Sequence, residues 1–275
     1  MRLRHVVLAV ILALCLAGTV WAQSSIPQRI VSVTPSVTEA LFALGVGDKV
    51  VGVTSWCTYP PEATERTIIG DAFNLNMEVL LSLQPDLVIG DSTLVAGHIE
   101  QLRALGIEVG TIDPTTLDEV IDSMITLGEL VGDQKGGKAL SENMRSRLSE
   151  LTSHVPAGSS KRVFVEIWYE PLMTVGPGSF LDELINLAGG ENIAADTGQP
   201  WPQFSEEQVL ARDPEVIILT NYNKAEALQR PAWQNLAAYK TGDVYEVNPD
   251  LYVRSTPRLL DGLAELISFI HGVEL

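Results

Sequence analysis

Cysteine, histidine and positive charge are all scarce in this chain. Its 275 residues include two cysteines, Cys15 and Cys57, and four histidines, His5, His98, His154 and His271. Cys15 lies in an N-terminal apolar run, so Cys57 stands alone in the body of the protein and no internal disulfide can form there. The expectation for such a lone thiol is burial. The histidines are scattered, and neither H-E-x-x-H nor C-x-x-C occurs, so no metal site of the usual spacing is present. G-x-S-x-G, the P-loop and a G-x-G-x-x-G after a strand are also missing, which argues against the common hydrolase, NTPase and dinucleotide-binding chemistries. Lys and Arg number 18 against 35 Asp and Glu, a net charge of −17. So acidic a surface repels nucleic acid and anionic membrane, and it disfavours a highly anionic ligand. After the N-terminus no apolar run is long enough to span a bilayer.

What is present begins with a leader. Arg2 and Arg4 precede an apolar run from Val6 to about Val20, and Val20 and Ala22 stand at the −3 and −1 positions of an A-x-A-like cleavage site. Residues 1–22 therefore read as a secretory signal peptide cleaved after Ala22, leaving a soluble exported protein. The run is short for a membrane anchor, and Leu14 precedes Cys15 where a lipoprotein signal needs a small residue. Loss of the leader removes Arg2 and Arg4 and takes the net charge from −17 to −19.

The rest alternates short apolar runs with amphipathic helical patterns. Strands are expected over Arg29–Thr34, Lys49–Thr54, Asp86–Gly90 and Ile107–Ile112. Helices are expected over Ser36–Gly45 (capped near Ser36 or Thr38), Asn76–Leu83 and His98–Leu105. Such alternation implies an α/β fold with largely parallel sheets covered on both faces. A helical stretch follows, Thr116–Leu130, then a break over Val131–Gly137 and a charged helix over Lys138–His154. A helix of roughly twenty residues spans about 30 Å, enough to join two lobes; a surface helix of a single domain is the plainer reading. Alternation resumes at Arg162.

The second half repeats a feature of the first. Glu78 begins a helical segment, with Pro85 seven residues later, then Asp86 and the apolar run Leu87–Ile89. Glu207 begins another, with Pro214 seven residues later, then Glu215 and the run Val216–Ile218. One helix–Pro–strand unit in each half suggests two lobes of similar fold, although such a unit is also common in α/β proteins generally.

With these residues in view, the chain resembles the cobalamin-binding members of the helical-backbone class of periplasmic solute-binding proteins, which also includes siderophore and haem binders. The likeness runs from Arg29 to Phe269. Its most specific stretch is Pro200–Arg212 (PWPQFSEEQVLAR), with weaker matches at Trp56–Pro61, Gly189–Ile193 and Asp250–Arg258. The resemblance implies two α/β lobes joined by a long rigid helix, with the ligand in the cleft between them. Residues 28–115 would form the N-terminal lobe, 116–158 the helical connection and 159–275 the C-terminal lobe. It implies a corrinoid such as cobalamin as the ligand, no cofactor, no enzymatic activity, and delivery by a monomer to the permease dimer of an ABC importer. Glu78 and Glu207 would dock onto that permease, one from each lobe.

A corrinoid is a large, flat, mostly apolar macrocycle edged with amides, so its cleft needs aromatic walls and a few polar groups. Trp201, held in Pro-Trp-Pro, is poorly placed for a core. Trp56 and Tyr59 follow a strand, as do Trp168 and Tyr169, and ligands of open α/β sheets gather at the carboxyl ends of strands; packing within the loop is the competing role for each. Asp250 matches a position whose carboxylate accepts a bond from a corrinoid amide, and a turn residue beside Pro249 is its plainer reading. Pro35 matches a position where backbone approaches the ligand. The chain departs from the pattern around Asp91 and at Phe73, slightly displaced from where a Trp is often found. A siderophore or haem reading therefore stays open, with Arg254 and Arg258 as candidates for an anionic ligand and Tyr59 for a haem iron. A secreted hydrolase is a distant alternative.

Overall fold

A computed structural model describes residues 26–71, 73–158 and 160–275; the leader lies outside them. Two parallel sheets make up the frame. The first contains β1 (Ile30–Ser32), β2 (Val50–Val53), β3 (Thr67–Ile68), β4 (Leu87–Gly90) and β5 (Glu108–Thr111) in the order β3-β2-β1-β4-β5. The second contains β6 (Arg162–Glu166), β7 (Glu191–Asn192), β8 (Val216–Leu219) and β9 (Val244–Glu246) in the order β7-β6-β8-β9. The central strands β1, β4 and β8 are buried along their whole length, as sheets with helices on both faces require.

The helices match the expected pattern with shifted ends. The helix α1 (Pro35–Ala43) starts at Pro35 and is capped by Thr34, whose hydroxyl accepts from the Val37 amide, and not by Ser36 or Thr38. Proline suits this first position because its missing N–H would have no helical partner. In the N-terminal lobe α2 (Met77–Ser82), α3 (Ser92–Val95) and α4 (Ile99–Ala104) follow. Then come α5 (Leu117–Leu130) and the 20-residue α6 (Gln134–Ser153), which leads into β6. The expected break over Val131–Gly137 shrinks to three residues, since α6 begins at Gln134. Its two glycines lie in the first turn for a packing reason. A Cβ on Gly137 would sit 2.9 Å from Gly128 Cα on α5, so the two backbones meet where only glycine fits.

The C-terminal lobe adds α7 (Phe180–Leu187), α8 (Glu206–Arg212), α9 (Lys224–Ala227), α10 (Ala237–Thr241), α11 (Asp250–Val253) and α12 (Leu259–His271). One buried apolar cluster joins the lobes. It runs from Val37 and Leu41 on α1 through Ile121 and Met124 on α5 and Met144 on α6 to Leu181 on α7 and Leu263 on α12. Arg145 of α6 reaches Asp118 and Asp122 of α5 at 3.1 and 2.5 Å, and Arg147 reaches Asp261 of α12 at 2.6 Å. Two lobes that share a core this way resist bending against each other. No helix among the described residues is long and apolar enough to cross a membrane.

The internal repeat is structural. The helices α2 and α8 each hold their glutamate, Glu78 or Glu207, at the second helical position, after a capping Asn76 or Ser205. Each leads to a left-handed residue, Gln84 (φ 48°) or Asp213 (φ 42°), then proline, then a central strand.

Candidate functional site

In a parallel sheet all carboxyl ends lie on one edge, and here segments that follow strands of one sheet meet segments that follow strands of the other. Glu39 of α1, just beyond β1, is buried and accepts from both Arg254 and Arg258, which lie beyond β9. Arg258 bonds it at 2.7 Å through both Nε and Nη2, and Arg254 at 3.0 Å through Nη1. Arg254 also holds Asp250, 2.9 Å away. The Arg258 guanidinium lies 3.7 Å from the centre of the Tyr59 ring. Burial works against the charge of Arg258, but the bonds to Glu39 outweigh it and raise its pKa. Behind Tyr59, a recess of about 370 Å³ between Glu39, Phe42, Pro60 and Arg258 belongs to this seam.

Six aromatic side chains are exposed among the described residues: Trp56, Tyr59, Phe73, Trp168, Trp201 and Tyr222. Each lies in a segment that follows a strand. Trp56 and Phe73 meet edge to face, with ring centres 5.5 Å apart. Their loops are tied by the bond from the Ser55 amide to the Gly70 carbonyl at 2.9 Å. The segments that carry Trp168 and Trp201 are tied together by a ladder of backbone bridges, Trp168 to Met173 and Met173 to Gln203, extended by the bond from Thr174 to Pro202 at 3.1 Å. Exposed aromatics of this size are costly unless something covers them.

Sequence reasoning singled out five of these six. Pro35 opens α1 and is half-buried, and Asp250 opens α11. Tyr169 differs from expectation. It is half-buried, with its hydroxyl on Glu206 at 3.1 Å and its ring under the Arg230 guanidinium at 3.6 Å, and so packs within the lobe. Arg254 and Arg258, the candidates for an anionic ligand under the alternative siderophore reading, are already paired with Glu39 and Asp250. Cys57 is buried as expected, with Thr38 Oγ1 at 3.1 Å and Thr54 Oγ1 at 3.3 Å from its sulfur. Sequence reasoning missed Tyr222 and Glu39. An acid at position 39, amid the apolar run Val37–Leu41, was the one signal that could have drawn attention to Glu39. Among the described residues, no three His, Cys, Asp or Glu side chains group as metal ligands.

A family model of periplasmic binding proteins matches residues 30–251. The chain belongs to the periplasmic binding protein family. Relatives within it agree with the geometry. An uncharacterized ABC transporter substrate-binding lipoprotein of Bacillus subtilis is 38% identical over 255 residues, covering 89% of this chain and 80% of the relative. The vitamin B12-binding protein of Vibrio cholerae is 33% identical over 248 residues, covering 88% and 89%. The crystal structure of the periplasmic vitamin B12 binding protein of that species superposes with a TM-score of 0.77 at 32% identity, covering 89% of this chain and 97% of that one. A periplasmic heme-binding protein from Roseiflexus, in its apo form, superposes with the same score at 27% identity, covering 89% and 98%. The two-lobed periplasmic binding protein fold is therefore the frame of this site. Membership makes the chain an exported protein that carries a small molecule to a membrane partner.

Proposed function

We propose that this protein captures a corrinoid such as cobalamin between its lobes and delivers it to the permease of an ABC importer. The observation that carries the reading is the exposure of aromatics in segments that follow strands of both sheets. Trp56, Tyr59 and Phe73 supply walls from the N-terminal lobe, residues 28–115; Trp168 and Trp201 supply them from the C-terminal lobe, residues 159–275. A broad, largely apolar macrocycle matches such walls. Asp250 supplies an acceptor for a ligand amide, and Pro35 lets backbone come close. The vitamin B12 binding of the Vibrio relative supports the same ligand class. The pairing of Arg254 and Arg258 speaks against an anionic ferric siderophore, which would need free cations.

Delivery rests on Glu78 and Glu207. Both are exposed, and both stand at helix starts. In a parallel α/β unit a helix starts on the edge where the preceding strand ends, so in this reading both glutamates share one outer face of the molecule, one per lobe, with neither turned into the cleft. Hydrogen bonds from its own amide and from Ser205 hold the Glu207 carboxyl below the usual carboxylate range. A monomer docking through these two carboxylates onto arginines of a permease dimer would present its cleft to the membrane. The mature chain begins at Gln23, after cleavage at Ala22; N-terminal sequencing of the exported protein checks this, and a lipidated Cys15 would contradict it.

The ligand class is tested by equilibrium dialysis and visible spectra with cyanocobalamin, haemin and a ferric siderophore in turn. Retention of cyanocobalamin alone supports the reading. Retention of haemin with a shifted absorption band, and none of cyanocobalamin, overturns it in favour of haem.

A further inference from the structure

Tyr222 is the one exposed aromatic of the cleft edges that sequence reasoning did not single out. It follows β8, at the centre of the C-terminal sheet, and is 65% exposed. Its backbone is left-handed, with φ of 53°. A bulky L side chain adopts that conformation only when its surroundings impose it. Among the described residues the other two such positions, Gln84 and Asp213, are accounted for by the repeated helix-to-strand turn; Tyr222 is not.

What imposes it is a buried clamp. Glu166, fully buried at the carboxyl end of β6, accepts from the side-chain amides on both sides of Tyr222, Asn221 at 3.0 Å and Asn223 at 2.7 Å. The Arg230 guanidinium forks onto the same carboxylate, with Nη2 2.9 Å from Oε1 and Nη1 on Oε2. Arg230 is in turn stacked between the rings of Tyr169, at 3.6 Å, and Trp233, at 4.5 Å. The loop is thus pinned from below at both neighbours of Tyr222, while the Tyr222 ring is left in solvent. Its hydroxyl has only a long contact, 3.5 Å, to Asn248 Oδ1, and that same oxygen accepts from the Asp250 amide at 3.1 Å. The phenol therefore shares Asn248 with the backbone of Asp250, and its donor is essentially free.

We propose that Tyr222 is a further wall of the ligand cleft and a determinant of specificity for carboxamide-edged ligands. Its ring covers apolar surface of the ligand, and its hydroxyl donates to a carboxamide carbonyl whose N–H is accepted by Asp250. A ligand carboxylate at that place offers no N–H to Asp250, whose other partner is Arg254, so the pair selects amide over acid. Fixing the ring in advance by the Glu166 clamp removes the ordering cost of a free loop.

This inference rests on the corrinoid reading, and its test keeps the two apart. Binding of cyanocobalamin to the unaltered protein tests the reading itself. The inference is tested by affinities, measured calorimetrically on folded protein, of Tyr222→Gly and Tyr222→Phe for cyanocobalamin and for a derivative with side-chain amides hydrolysed to acids. Glycine suits the left-handed backbone, so Tyr222→Gly should unfold at an equal or higher temperature while binding cyanocobalamin about tenfold more weakly. Tyr222→Phe should keep the wall but narrow the preference for amide over acid at least threefold. A loss of less than threefold in Tyr222→Gly, or an unchanged amide-to-acid ratio in Tyr222→Phe, overturns the inference.

Discussion

Trp201 is held between two prolines and fixed by backbone bonds on either side of it, from Gly176 to Pro200 and from Thr174 to Pro202. Its indole supports no core, so Trp201→Ala should leave folding intact and weaken corrinoid binding by about 1–3 kcal/mol through lost apolar contact and stacking. Calorimetry on the variant checks this, and an unchanged dissociation constant would remove Trp201 from the cleft wall. Glu166 makes a prediction of the opposite kind. Burial works against its charge, but Arg230, Asn223 and Asn221 outweigh that and hold its carboxyl below the ordinary value of 4.5. A carboxyl lowered on folding stabilises the protein above its unfolded pKa, and that contribution fades as pH falls through the lower folded value. Glu166→Gln should therefore cost about 3–5 kcal/mol in urea unfolding at pH 7, the range for breaking a buried pair. The gap from the unaltered protein should narrow below about pH 4.5. A gap that stays constant from pH 7 to pH 3 would mean that the carboxylate is not the ionised anchor of the loop. At this scale the sequence was readable where an aromatic followed an apolar run, as at Trp56 and Trp168. It was silent where a role depends on distant partners. Asn-Tyr-Asn reads as an ordinary turn, and Glu166 and Arg230 stand 64 residues apart.

Among the elements, α1 carries the contact between lobes. Its residues Val37 to Leu41 are all buried and include Glu39, whose carboxylate is shared by two arginines of the other lobe. Glu39→Ala would leave the half-buried Arg258 guanidinium without a carboxylate and Arg254 with Asp250 alone. The expected cost is about 3 kcal/mol, at the low end for a broken buried pair because the arginines keep some contact with water. Chemical unfolding measures it; a loss below about 1 kcal/mol would show that the seam is held by apolar packing alone. The helix–Pro–strand units were legible because proline and an apolar run punctuate both in the same order. The ends of α1 and α6 were not. The sequence offered Ser36 and Thr38 as caps, but the chain caps with Thr34, which lets Pro35 take the first helical turn. Glycine at positions 136 and 137 reads as a break by propensity, yet close approach of α5 overrides propensity there.

For the molecule as a whole, two lobes with a common core form a rigid body carrying two separated carboxylates. Rigidity matters because two anchors act together only if their span is fixed. The double change Glu78→Ala, Glu207→Ala should leave folding and corrinoid affinity unchanged and abolish transport by the reconstituted importer, with each single change weakening it in part. Normal transport by the double variant would make these glutamates plain surface. The two-lobed frame was legible from strand–helix alternation and the repeat, whereas the facing of the lobes depends on Glu39, Arg254 and Arg258, whose pairing spans 215 and 219 residues. The central claim, one corrinoid held between the lobes, is tested most directly by calorimetric titration of the mature protein with cobalamin and with cobinamide. The account predicts saturable binding of cobalamin at one site per chain, with cobinamide occupying the same site in competition. Absence of saturable heat with either corrinoid, from protein shown to be folded, would contradict it.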